Sequence, residues 1–281
     1  MTLRYSAFQF AIFRIVFGLY LALNFALLVR HAPRLFSKDG MISNPSLNWT
    51  YGYFPDILYF VDNQMFVKMF LALLFFFSLS FAFGVARPVM ALLIWYGEAC
   101  LYNRNNYYWS PAMPLIGWLL LACAIIPSGE PLCALGSREQ KSEWYMPKEI
   151  LWGAWFILGL SYSVSGFYKC AGPSWMDGSA IGQSLRWVWA RNWWYPQTLL
   201  ASPPLVLKWI TWTTLFLETF FLLLCTFRLG RIFAWCGMVL MHLNILLLLD
   251  LADLTSGVLL FHLFLFDPRW FGFGKKNAAV P

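Results

Sequence analysis

Long apolar runs alternate with short polar segments along the whole chain. A helix needs about 20 apolar residues to cross roughly 30 Å of hydrocarbon, because each residue rises 1.5 Å. Strands are disfavoured, because no run alternates as barrel strands do. Eight runs approach the required length, although the third, fourth and eighth are short. They span residues 7–29, 65–86, 88–103, 112–127, 149–168, 205–227, 231–250 and 254–267. The pattern predicts an all-α, polytopic integral membrane helix bundle with about eight transmembrane helices, forming a single domain over residues 1–281.

The composition supports a membrane protein and excludes several other classes. Of the 281 residues, 60% are hydrophobic and only 12% are charged, whereas soluble domains carry about 25% charged residues. A soluble enzyme, a nucleic-acid-binding protein and a disordered chain are therefore excluded. The net charge of +7 comes from basic residues at the ends of apolar runs, where anionic lipid headgroups favour them. The chain is therefore predicted to contact membrane lipid and not to bind nucleic acid.

The distribution of Lys and Arg between loops predicts the orientation in the membrane. With eight spans, ten basic residues lie on the side of the termini and seven on the other side. Both termini are therefore predicted in the cytoplasm, with the chain in a bacterial plasma membrane. The ten residues are Arg4, Arg87, Arg138, Lys141, Lys148, Arg228, Arg231, Arg269, Lys275 and Lys276.

Two long connections, residues 30–64 and 169–204, face outward in this arrangement. Residues 186–194 hold four Trp and two Arg, a composition typical of a helix lying in the headgroup plane. This Trp-rich segment, residues 186–194, is interpreted either as an aromatic belt or as a lid over a site. The linker 128–148 is predicted to be an ordinary loop. Six cysteines show no CxxC spacing, so neither a disulfide framework nor a metal site is predicted.

Several polar residues lie inside or beside the predicted spans, where a charge costs about 2.5–3.5 kcal/mol on insertion scales. Arg14 is expected to pair with Glu98 or Glu218, or to line a polar cavity. Asn24 and Asn244 are expected to form hydrogen bonds between helices. His262 is interpreted as a cap or interface residue, whereas His242 is either a satisfied core histidine or a functional one. The full set is Arg14, Asn24, Glu98, Arg104, Lys169, Glu218, His242, Asn244 and His262.

Lys169 is the leading candidate for chemistry. It stands at the outer end of the fifth run, before Gly172-Pro173. Its side chain either extends to the headgroups or folds back into a cavity at the Gly-Pro break. A lysine desolvated by apolar walls has a lowered pKa and serves as a general base near neutral pH.

Two short stretches surround Lys169, residues 166–169 (GFYK) and residues 172–178 (GPSWMDG). They resemble the lysine–tryptophan–glycine signature of the horizontally transferred transmembrane (HTTM) family, whose members are related to the membrane domain of vitamin K-dependent γ-glutamyl carboxylase. The other matching stretches follow in order over nearly the whole chain. They are residues 13–19, 36–40, 83–87, 103–105 and 126–129, with an acid at Glu218 and a histidine at His242.

The resemblance implies a quinol-dependent, carboxylase-like reaction in the membrane. In the carboxylase, a lysine acts as the base on a reduced quinone, a vitamin K-like hydroquinone, and Lys169 matches that lysine. His242 and Glu218 are then the other catalytic candidates, which orient Lys169 or balance its charge. The candidate substrate-binding residues are Arg104, Glu98, Arg14 and Trp175.

The resemblance departs from the carboxylase at the C-terminal end. The carboxylase has a large lumenal domain after its helices, whereas about 14 residues follow the last predicted helix here. Protein carboxylation is therefore disfavoured, while quinone or lipid chemistry stays open. The alternative is a non-catalytic or peptide-processing membrane partner that matures or exports a secreted peptide, as in toxin maturation, and binds a hydrophobic peptide or a membrane protein. A transporter is a weaker alternative, because no internal repeat is found, and haem binding is disfavoured.

Overall fold

The computed structural model describes residues 5–134 and 144–271, and within them the only regular secondary structure is helical. The positions outside these ranges include Arg4, Arg138, Lys141, Lys275 and Lys276 of the orientation prediction, and the tail after Phe271. The helices are α1 (Ala7–Val29), α2 (Ala32–Phe36), α3 (Gln64–Ala82), α4 (Arg87–Arg104), α5 (Met113–Ile125), α6 (Lys148–Cys170), α7 (Pro173–Met176), α8 (Ala180–Ser184), α9 (Trp194–Leu200), α10 (Pro204–Leu224), α11 (Arg228–Leu248) and α12 (Ala252–Leu265). Four 3-10 turns cover Pro45–Leu47, Ile57–Tyr59, Asn106–Tyr108 and Pro268–Phe271.

The all-α prediction is confirmed for the described residues, and each of the eight predicted runs forms a helix. Five of these helices are long and apolar enough to cross a membrane, namely α1, α3, α6, α10 and α11. The apolar helices α5 and α12 have only 13 and 14 residues, and α4 carries too many polar residues to join the five. The structure is thus compatible with an integral membrane protein, and the count of eight spans stays a prediction.

The chain forms two compact units, Met1–Pro147 and Lys148–Pro281. In the first unit, α1 packs along α3 and α4 packs against α3 and α5. A Cβ atom added at Gly18 would lie 2.6 Å from Cβ of Ala82, so the missing side chain lets α1 and α3 approach closely. Phe17 and Phe81 meet edge-to-face beside this contact, with ring centroids 5.8 Å apart.

Arg14, Arg87 and Glu130 form a buried arginine cluster in the first unit. Oε1 of Glu130 lies 2.9 Å from Nη1 of Arg14 and 2.8 Å from Nε of Arg87. All three side chains are at most 2% exposed. The two guanidinium groups share one carboxylate, and carbonyl oxygens of Leu132 and Ile126 accept further hydrogen bonds from Arg14 and Arg87, since buried charges are tolerated when they are paired and hydrogen-bonded.

The arginine cluster corrects two predictions. Arg14 pairs with Glu130, and neither Glu98 nor Glu218 is its partner. The linker 128–148 is not an ordinary loop in its described first part, because Leu132 O accepts a hydrogen bond of 2.6 Å from Arg14 and the amide of Ala134 donates to Phe83 O at 2.8 Å. The linker comes back to the helices because the buried guanidinium needs its acceptors.

The connection between α2 and α3 is held against the end of α4 by Arg104. This fully buried side chain donates to Ile42 O at 2.7 Å and pairs with Asp62 at 3.1 Å. Asn48 donates in turn to the carbonyl of Arg104 at 2.9 Å. Arg104 therefore holds the connection between α2 and α3 in its folded conformation through charge-assisted hydrogen bonds.

Asp56, in the same connection, predicts a pH dependence of stability. Burial raises the pKa of this carboxyl from about 4 to about 6, although the hydrogen bond that it accepts from the Leu58 amide partly opposes the shift. The folded protein then binds more protons than the unfolded chain between pH 4 and 6, so we expect stability to fall as pH rises through this window. The shift corresponds to about 3 kcal/mol. Thermal unfolding of Asp56→Asn against pH should lack this decline, and an unchanged slope would contradict the assignment.

In the second unit, small residues on one face of α6 let α10 pack closely. A Cβ atom added at Gly159 would lie 2.7 Å from a Leu222 side-chain carbon, and one at Gly166 would lie 2.4 Å from the backbone nitrogen of Thr219. Between them, the Ser163 hydroxyl accepts a hydrogen bond of 3.1 Å from the Leu222 amide. This spacing of small residues is typical of close helix pairs in membranes, and it brings the polar side chains of α6 and α10 together.

The Trp-rich segment is not the headgroup-plane helix that the sequence predicts. Residues 185–189 form turns, Ala190 forms an isolated antiparallel bridge with Leu249, and α9 begins only at Trp194. The amide of Arg191 donates to Leu248 O at 2.9 Å, and the Trp193 indole donates to Leu247 O at 2.8 Å. The segment pairs with the chain at the end of α11, because the last carbonyls of a helix have no partner within it.

The two asparagines differ in their partners. Asn24 donates to Tyr20 O of its own helix at 3.1 Å, so the predicted bond between helices is wrong for this residue. Asn244 also donates within its helix, but its Oδ1 accepts from the Tyr195 hydroxyl of α9 at 2.7 Å. Asn244 therefore does connect two helices, as predicted.

Candidate functional site

Lys169, Ser165, Glu218 and Trp175 form the lysine site of the second unit. The ammonium group of Lys169 forms an ion pair with Oε2 of Glu218. The Ser165 hydroxyl donates to the same carboxylate oxygen at 3.1 Å and lies 3.3 Å from Lys169 Nζ. The Lys169 side chain is 25% exposed and that of Glu218 6%. The pair thus stands at the edge of the apolar interior, open on the lysine side.

The chain reversal after α6 places an aromatic ring beside this pair. The Gly172 amide donates to Lys169 O at 2.9 Å, and Pro173 begins the short helix α7. The ring of Trp175 on α7 then lies 4.9 Å from Lys169 Nζ, a cation–π distance. Of the two positions that the sequence allows for Lys169, the structure shows the one folded back at the Gly-Pro break.

A second polar group, the imidazole cluster, consists of Tyr162, His242 and His262. The Tyr162 hydroxyl lies 2.8 Å from Nε2 of His242 and 2.8 Å from Nε2 of His262. All three residues are buried, and the Phe221 ring packs against Tyr162 with centroids 4.7 Å apart. The cluster joins α6, α11 and α12 through hydrogen bonds at the centre of the second unit.

The structure brings only some of the predicted site residues together. Lys169, Glu218 and Trp175 share the lysine site, and His242 belongs to the imidazole cluster of the same unit. The three other candidates lie in the first unit, where each has its own partners. Arg14 belongs to the arginine cluster, and Arg104 holds the connection between α2 and α3. Glu98 accepts a hydrogen bond of 3.5 Å from the Tyr108 hydroxyl.

Sequence reasoning missed Ser165 and Tyr162, and it misjudged His262. His262 is 1% exposed and bonds Tyr162, so it does not cap the end of α12. A signal for the first two was present in the spacing, because residues 162, 165 and 169 fall on one helix face at intervals of three and four. Tyr and Ser are ordinary in apolar helices, and this spacing alone does not separate a site from a packing face.

The lysine site has the means to move a proton. In an apolar environment, an ammonium–carboxylate pair competes with the neutral pair of amine and carboxylic acid, because burial penalises the two charges. Among the described residues, no group of three or more His, Cys, Asp or Glu side chains converges as metal ligands do.

Comparison of the chain with models of known protein families, with curated proteins and with solved structures finds no match.

Proposed function

We propose that the second unit binds a reduced quinone at the lysine site and that Lys169 acts there as a general base. The observation that carries this proposal is the set of contacts of Lys169 Nζ. This atom forms an ion pair with the Glu218 carboxylate, a hydrogen bond with the Ser165 hydroxyl and a cation–π contact with the Trp175 ring. A polar acid–base group at the edge of an apolar helix pair suits a molecule with an aromatic, hydroxyl-bearing head and an apolar tail.

The residues of the lysine site fit such a head group. The Trp175 indole offers a flat face for an aromatic ring, and the partly exposed Lys169 offers a charged partner for a ring hydroxyl. When bound, a reduced quinone supplies two electrons and two acidic hydroxyl protons.

The role of Glu218 in this proposal is to release the amine of Lys169. A bound molecule that excludes water from the site raises the cost of the separated charges. One Nζ–H bond then breaks and its proton moves to Oε2 of Glu218, which leaves a neutral pair. The lone pair of Nζ is now free to accept a hydroxyl proton from the bound molecule, and Ser165 stays hydrogen-bonded to the protonated acid.

Mass spectrometry of the molecules that copurify with the protein in mild detergent tests this proposal. We expect a quinone with the wild type and a depletion of about tenfold or more in Lys169→Ala, because a hydrogen bond to a charged group contributes about 1.5–3 kcal/mol. The matched control is Lys148→Ala, an exposed lysine at the opposite end of α6, which should retain the quinone.

Equal amounts of quinone in the two variants, or no quinone in the wild type, would contradict the proposal. Phospholipid bound equally to all three proteins would favour the alternative of a peptide-maturation partner. Helix content and elution as a single species must be the same for the three proteins, so that a loss of binding is not a loss of folding.

A further inference from the structure

The imidazole cluster contains buried polar atoms that the described residues leave unsatisfied. The Nε2 atoms of His242 and His262 both reach the Tyr162 hydroxyl, but neither Nδ1 atom has a hydrogen-bond partner. The two histidines are only 4% and 1% exposed. Buried polar atoms in folded proteins nearly always have a partner, frequently an internal water, so both Nδ1 atoms need a partner that the described residues do not supply.

The number of protons in the cluster restricts its tautomers. A tyrosine hydroxyl has one proton, and a neutral imidazole has one proton for its two nitrogens. Both imidazoles are neutral, because the cluster contains no anion to balance a buried cation. Tyr162 can therefore donate to one Nε2 only, and the other Nε2 has to donate to the Tyr162 oxygen.

It follows that the two histidines hold opposite tautomers. The ring that accepts from Tyr162 has its proton on Nδ1, whereas the ring that donates to Tyr162 has a bare Nδ1 lone pair. Two identical tautomers would leave either two lone pairs facing each other or the hydroxyl proton without an acceptor. The cluster thus ends in a donor at one Nδ1 and an acceptor at the other, and exchanging the two rings gives an arrangement of the same kind.

We propose that the imidazole cluster is a proton-transfer element whose two ends are the Nδ1 atoms of His242 and His262. A hydrated proton (H3O+) gives one proton to the bare Nδ1 of one ring and becomes water, and the Nε2–H bond of that ring breaks as its proton passes to the Tyr162 oxygen. The O–H bond of Tyr162 breaks as its proton passes to Nε2 of the other ring, and the Nδ1–H bond of that ring breaks as its proton passes to a second water, which becomes H3O+. One proton enters and one leaves, and the tautomers are exchanged.

The position of the cluster makes it useful to the rest of the unit. Tyr162 precedes Lys169 by seven residues on the same face of α6, which is about 10 Å along the helix axis. The charged groups nearest along the packed helices are Lys169 on α6 and Glu218 on α10, and both belong to the lysine site. This proposal goes beyond the proposed quinone reaction and stands whether or not a quinone binds.

Nitrogen-15 NMR of the full-length protein, labelled on histidine, tests the proposal directly. The chain has three histidines, so the His31→Gln background leaves only the two of the cluster. We expect one ring of each tautomer and exchange cross-peaks between them. Tyr162→Phe removes the bridging proton, and we expect the exchange to slow by about tenfold or more.

The matched control is Tyr168→Phe, because Tyr168 lies on the same helix but is 79% exposed. Its spectrum should equal that of the parent. Two rings in the same tautomer, or a charged ring at neutral pH, would overturn the proposal. Opposite tautomers without any exchange would also overturn it, since the cluster would then be a static hydrogen-bonded group. If Tyr162→Phe does not fold, His262→Gln replaces it, and His242 should then show a single tautomer without exchange.

Discussion

Replacing Glu130 by glutamine should lower the free energy of unfolding by about 3–5 kcal/mol, because it leaves buried charges uncompensated. Among the described residues, Glu130 is the carboxylate that pairs with the guanidinium groups of both Arg14 and Arg87, at 2.9 and 2.8 Å. Glutamine keeps the size and one acceptor oxygen but removes the charge. Thermal or denaturant unfolding of the purified protein in detergent measures the effect, together with the yield of folded protein.

The control for this substitution is Glu149→Gln, which removes the same charge from an exposed position in the first turn of α6. Surface changes of this kind alter stability by at most about 0.5 kcal/mol. If the two variants unfold at the same temperature, the arginine cluster does not have the importance assigned to it. A further variant, Glu130→Asp, should recover part of the stability, because the charge is restored on a shorter side chain.

Gly166→Ala should separate α6 from α10 and cost about 1–3 kcal/mol of stability, because a methyl group has no space at this contact. The added Cβ atom would lie 2.4 Å from the nitrogen and 2.6 Å from the Cα atom of Thr219. Backbone atoms cannot turn aside as a side chain can, so the helices have to move apart. Glu218 precedes Thr219, and its ion pair with Lys169 should weaken at the same time.

Gly117→Ala in α5 is the matched control, because the nearest atom to its added Cβ is 3.6 Å away, an ordinary contact distance. Alanine is also the better helix former, so this variant should be at least as stable as the wild type. Unfolding temperature and the amount of copurifying quinone are compared for the two variants. A Gly166→Ala protein that unfolds at the wild-type temperature would show that the two helices are not closely packed there.

The helices were predictable from the sequence because their apolar runs have the length and continuity that the hydrocarbon requires. The family resemblance implied that Glu218 balances the charge of Lys169, and the two residues do form an ion pair, whereas the charges in the apolar runs alone had made Glu218 a candidate partner of Arg14. Glu130 was not predictable, because it stands in a Pro- and Gly-containing segment, Ile126–Pro131, that is typical of a loop. Only the packing of distant segments shows that its side chain is buried.

The structure of the Trp-rich segment and the role of Tyr162 could not be predicted from the sequence, for two different reasons. The composition of residues 186–194 suits a headgroup-plane helix, but hydrogen bonds to residues near the end of α11 determine its structure, and these depend on tertiary folding. Tyr162 looks like any aromatic residue in a membrane helix. Its role in the imidazole cluster becomes visible only when α11 and α12 place two histidine nitrogens at the same hydroxyl.

The arginine cluster also has a consequence for the synthesis of the protein. Arg14 and Glu130 are 116 residues apart, and at about 5–20 residues per second the ribosome delivers the carboxylate roughly 6–23 s after the guanidinium. During this interval the arginine of α1 lacks its counter-ion. The first unit therefore reaches its final packing only after the segment that follows α5 has been synthesised.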